Sequence, residues 1–152
     1  MKKTKRILLV IIAAILFLVV STLLFGCQEP LEGEKSVTCY FTTDTSSDFC
    51  YIVINDGAIQ NLNENNFVKY TCKTDAITLE EVFEVLKDKT SFTYSATIYE
   101  PGGAFLDSIC GIAPPPGNFY IEFKIDGETA SMGISAALIA DKAVYSFCIT
   151  GW

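Results

Sequence analysis

The sequence predicts an α+β domain: one main helix on a mixed or antiparallel sheet. Several short segments alternate apolar and polar residues and are rich in β-branched and aromatic side chains. Only one segment, from Thr78 to Lys89, repeats its apolar residues at helical spacing. The order is strand, strand, helix and then several strands, with no internal repeat and no second domain.

Val37-Thr38-Cys39-Tyr40-Phe41-Thr42 reads as the first strand. The polar cluster from Thr43 to Asp48 is a turn, and Cys50 to Ile54 is a second strand and hairpin partner. Asn55-Asp56-Gly57 ends it with residues that tolerate positive φ. The Asn-rich stretch from Asn61 to Asn66 is an exposed loop, because Asn competes for local backbone hydrogen bonds. Val68 to Cys72 is a short third strand.

The helix opens at Thr78, with Glu81 at capping-box spacing. Leu79, Val82, Phe83 and Leu86 form one apolar stripe. Glu80 and Glu81 near its start and Lys87 and Lys89 near its end complement the helix dipole. Such a helix should lie across a sheet. Phe92 to Ile98 is the next strand, broken at Pro101-Gly102-Gly103, and Ala104 to Cys110 follows. Pro114-Pro115-Pro116-Gly117 is a stiff loop that a sheet interior excludes. Phe119, Ile121, Phe123 and Ile125 alternate with polar neighbours up to a hairpin signal at Asp126-Gly127. Ala130 to Ala140 fits either a helical turn or a loop, and Val144 to Ile149 is the final strand.

The first residues read as an address. Lys2, Lys3, Lys5 and Arg6 precede an apolar run from Leu8 to Phe25 that is long enough to span a bilayer. The run ends in Leu24-Phe25-Gly26-Cys27, which resembles the bacterial lipobox, and polar Gln28-Glu29-Pro30 follows. A lipoprotein signal peptide over 1–26, a lipidated Cys27 with a tether over 27–35, and a domain over 36–152 are therefore expected. A transmembrane anchor is the alternative; both place the domain on the extracytoplasmic face of the cell membrane. From Cys27 onward there are 7 Lys and Arg against 18 Asp and Glu, a formal charge of −11. An anionic leaflet repels such a surface, so the lipid supplies the membrane attachment and the tether holds the domain away.

The composition excludes whole classes of chemistry. The chain has no histidine, which removes Ser-His-Asp and Cys-His nucleophiles and HExxH zinc sites. No nucleophile motif such as G-x-S-x-G occurs. No basic patch is present to neutralise phosphates, so nucleic acid is not an expected partner. The reading is of a non-enzyme without cofactor or metal.

Five cysteines remain beyond Cys27, an odd number that leaves at least one thiol unpaired. Cys39 and Cys50 share the phase of apolar neighbours and would face each other across the first hairpin. They are either buried thiols or a hairpin disulfide. Asp44, Asp48 and Asp56 read as solvated turn residues, since Asp44 and Asp48 lack the dense oxygen spacing of a calcium loop. Aromatics near loops, Tyr99, Phe105, Tyr120 and Tyr145, are candidates for the wall of a site for a flat ligand.

From Thr78 onward the chain resembles the transcobalamin-like C-terminal domain family, the β-domain of cobalamin carriers. The resemblance rests on an ordered set of short segments. They are the helix Ile77 to Leu86, then Gly103 to Gly111, the strand and turn Phe119 to Glu128, Gly133-Ile134-Ser135, Asp141-Lys142, and Val144 to Phe147. It implies a β-grasp-like domain that binds a ligand. It also places the loops 111–118 and 131–135 at the ligand edge, lined by Ile112, Pro114, Pro115, Pro116, Asn118 and Met132. Phe119-Tyr120 stands where the family commonly has Trp, and the helical barrel that completes the cobalamin cage has no counterpart. The expected function is capture of a small vitamin-like molecule, cobalamin or a relative, for a membrane importer. The alternative is an envelope module that binds a protein or glycan by a sheet edge or aromatic patch.

Overall fold

The structure is a computed structural model and describes residues 31–152. The expected signal peptide, the lipidation site Cys27 and the start of the tether lie outside those residues. Among the described residues no helix is long and apolar enough to cross a membrane.

The chain forms strands β1 (Lys35–Phe41), β2 (Cys50–Ile54) and β3 (Val68–Thr74), helix α1 (Leu79–Lys89), then β4 (Tyr94–Tyr99), β5 (Gly103–Ile109), β6 (Phe119–Ile125), β7 (Glu128–Thr129) and β8 (Val144–Gly151). One sheet has six strands in the order β3-β1-β2-β8-β6-β7, and β4 with β5 makes a separate hairpin. Every pairing is antiparallel. This is an α+β domain with one helix.

Strand alternation places Val37, Cys39, Phe41, Cys50, Ile52, Ile54, Ile121, Phe123, Tyr145 and Phe147 on one face, none more than 9% exposed. Helix α1 covers that face with Leu79, Val82, Phe83 and Leu86, all fully buried. Each large side chain buried this way contributes about 1.5–3 kcal/mol. Phe83 is the centre, with rings of Phe92 at 5.2 Å, Tyr94 at 5.1 Å and Phe147 at 5.6 Å. The capping box forms as the spacing predicted: the Glu81 amide donates to Thr78 Oγ1 at 3.3 Å, and the Thr78 amide to Glu81 Oε2 at 3.2 Å.

Three expectations are corrected. The strand predicted from Phe92 starts at Tyr94, because Phe92 is drawn into the core at 1% exposure against Phe83. The tether does not reach Lys35, which opens β1 with its ammonium buried and donating to the carbonyls of Gly33 (2.8 Å) and Asp75 (3.4 Å). Leu31 also packs against the core. The segment 130–140, which fitted either a helical turn or a loop, is a loop. It is strapped across the start of α1 by the bonds from the Leu79 amide to Ala137 O (2.9 Å) and from the Ile139 amide to Ile77 O (2.8 Å). Cys39 and Cys50 are not cross-strand partners: Cys39 lies opposite Ile52, and Cys50 opposite Phe41. Their sulfurs are 3.9 Å apart on a diagonal, and both are free thiols.

Candidate functional site: a cleft between two strand edges

The β6 edge is only partly used. Its inner side pairs with β8 over the whole strand, but β7 covers the outer side only at Lys124 and Ile125. The Ala130 amide donates to Phe123 O at 2.8 Å, so the peptide groups of Phe123 point away from β8. In an antiparallel strand the direction alternates, so those of Ile121 and Phe119 point outward too. The β5 edge behaves alike. The Ile134 amide donates to Ala104 O (2.7 Å) and the Ala104 amide to Ser135 Oγ (2.8 Å), which turns Ala104, and by alternation Leu106, away from β4. Among the described residues the outward groups of Leu106, Phe119 and Ile121 have no hydrogen-bond partner.

Between these edges lies a cleft of about 890 Å³. Consecutive residues of both strands line it, 104–107 and 119–123. Because side chains alternate between faces, a cavity that touches every residue of a strand meets the edge of that strand. The Pro114-Pro115-Pro116 loop between β5 and β6 also lines the cleft. The loop carrying Met132 lines it as well, held by the Gly133 amide on the Gly102 carbonyl, one residue before β5, at 2.8 Å. Glycine is required at position 133, since a Cβ there would overlap the Ala104 carbonyl.

The walls are aromatic. Trp152 leans on Tyr120 with ring centroids 4.6 Å apart and planes tilted by 34°, and Tyr99 meets Phe105 edge-on at 5.9 Å. Eight large hydrophobic residues are exposed among the described residues, and five of them line this one cleft: Tyr99, Phe105, Phe119, Met132 and Trp152. Exposed apolar area collected in one place marks a binding surface, whereas scattered single residues do not.

Two carboxylates complete the lining, Asp107 and Glu122. Asp107 accepts from Thr97 Oγ1 at 2.8 Å. Glu122 accepts from Thr129 Oγ1 at 2.7 Å and Cys148 Sγ at 3.2 Å. The Thr129 bond leads in holding its carboxyl below the usual range, with Cys148 and the Lys124 ammonium 3.7 Å away assisting. Lys124 is itself bound to Asp48 at 3.1 Å. That corrects the reading of Asp48 as a solvated turn residue. Among the described residues no group of three or more Cys, Asp or Glu is placed to hold a metal.

Of the expected ligand residues, Tyr99, Phe105, Pro114, Pro115, Pro116, Tyr120 and Met132 line the cleft, whereas Ile112 and Asn118 do not. Ile112 turns back onto Ile109 through a pair of backbone bonds at 2.8 and 2.9 Å and packs on the core. Asn118 O is taken by the Trp152 amide at 3.0 Å. Tyr145 is a core residue with no exposed surface, not a wall of the site. Phe119 and Trp152 were not anticipated; a lone Trp was the available signal. No protein-family model and no curated protein matches the chain.

Proposed function

We propose that the chain is an extracytoplasmic lipoprotein, anchored through Cys27, whose single β-grasp-like domain captures a small molecule in the cleft between β5 and β6 for a membrane importer. The observation that carries the reading is the gathering of five exposed aromatic and Met side chains on one cleft. Such walls suit a flat, largely apolar ligand, with the free peptide groups of Leu106, Phe119 and Ile121 as donors and acceptors for its polar edge. The sequence resemblance to the transcobalamin-like C-terminal domain makes cobalamin and related vitamins the first ligands to try. Calorimetric titration of the full chain in nonionic detergent with cyanocobalamin, cobinamide and smaller vitamins tests it. Saturable binding of one of them is the expected result; a folded sample that binds none overturns it.

The unpaired edges themselves favour a second reading, an envelope module that takes an extended peptide as an added strand. In that case backbone amides at Ile121 and Leu106 gain hydrogen-exchange protection with a peptide partner, and vitamins leave them unchanged.

A further inference from the structure

The cleft also carries a charge preference. Both ionisable side chains of its lining other than tyrosines are carboxylates, Asp107 and Glu122, and among the described residues no Lys or Arg lines it. The ammonium beside Glu122, that of Lys124, is shared between Asp48 at 3.1 Å and Glu122 at 3.7 Å and is thus already committed to carboxylates. Glu122 keeps its negative charge, because its oxygens accept from Thr129 and Cys148 and the Lys124 ammonium stands 3.7 Å away. The rings of Tyr99, Phe105, Phe119, Tyr120 and Trp152 line the same space. Ring faces attract a cation placed over them and offer nothing to an anion. The surrounding field has the same sign, with 18 Asp and Glu against 7 Lys and Arg from Cys27 onward.

We infer that the cleft selects flat aromatic cations, stacked between its aromatic walls with the positive charge toward Asp107 and Glu122, and rejects flat anions of the same size. This rests on the ligand-capture reading and deepens it by naming the class of ligand.

Three probes of one shape separate the alternatives: N-methylquinolinium, uncharged quinoline, and naphthalene-1-carboxylate. Each is titrated calorimetrically into the full chain in nonionic detergent. The cation should bind about tenfold more tightly than quinoline, and the carboxylate more weakly than both. Asp107→Asn and Glu122→Gln should each weaken the cation more than quinoline and so narrow the gap between them. Asp107 is exposed, so its variant has little to unfold. Adding salt should narrow the same gap without any substitution. Equal binding of all three probes, or tighter binding of the carboxylate, overturns the charge inference while the capture reading stands. A cation preference that survives both substitutions also overturns it, since the carboxylates are then not its source. Binding of none of the three overturns this inference, while the capture reading is decided by the vitamin titration.

Discussion

The hydroxyl of Tyr145 joins the central sheet to the loop that forms one wall of the cleft. It accepts from the Ala140 amide at 2.9 Å and donates to the Leu138 carbonyl at 3.1 Å. The side chain has no exposed surface, so water does not replace either bond. Tyr145→Phe removes one oxygen and leaves the ring in place between Phe123 and the loop. A net hydrogen bond is worth about 1 kcal/mol, and a buried backbone group left without a partner costs about 1–3 kcal/mol. The variant should therefore lose about 2 kcal/mol, a drop in melting temperature of about 5–10 °C for a domain of this size. Thermal unfolding followed by circular dichroism measures it, with Tyr99→Phe as the control. Tyr99 is 60% exposed and should change stability by less than about 0.5 kcal/mol. Equal melting temperatures for Tyr145→Phe and the unsubstituted chain would refute the view that this hydroxyl pins the loop.

Gly133→Ala should drive the Met132 loop off β5, costing about 1–3 kcal/mol and lowering the fluorescence of N-phenyl-1-naphthylamine bound in the cleft. Glu122 has a lowered carboxyl pKa in the folded state. Its contribution is thus complete above the ordinary value of about 4.3 and is lost as pH falls through the lowered one. Glu122→Gln should accordingly flatten the acid limb of the stability profile, and an unchanged limb would contradict the assignment. Burial pushes the Cys148 thiol up to about 11. It should resist iodoacetamide near pH 8, where thiolate is the reacting form. Cys39 and Cys50, with no exposed surface, should label only on unfolding, as mass spectrometry of pulse-labelled protein would read.

The elements were legible where one local signal dominated. The stripe Leu79, Val82, Phe83 and Leu86 and the Thr78–Glu81 box give the helix boundary within a residue. The alternation from Phe119 to Ile125 gives β6 and its face, and Asp126 and Gly127 adopt the positive φ that the turn to β7 demands. What failed depended on partners distant in sequence. Phe92 left its strand because Phe83 and Tyr70 offered a buried place. The Cys39–Cys50 pairing failed because the alternation fixes which face each residue takes but not the register between strands. At the site, the aromatics and the Pro loop were legible as surface features. The free edges of β5 and β6 were not, since an unpaired peptide group has no sequence signature.

Strand β8 sits between β2 and β6, in the middle of the six-stranded sheet. Its partners on one side, Cys50 to Val53, precede it by more than ninety residues. The first three strands and the helix therefore have no completed core until this segment docks. Until then β2 offers a bare apolar border to any neighbouring chain. Closing so long a loop is entropically unfavourable, so assembly is slow and late. A chain delivered from its N-terminus would stay open for most of its passage and close in one step as β8 arrives.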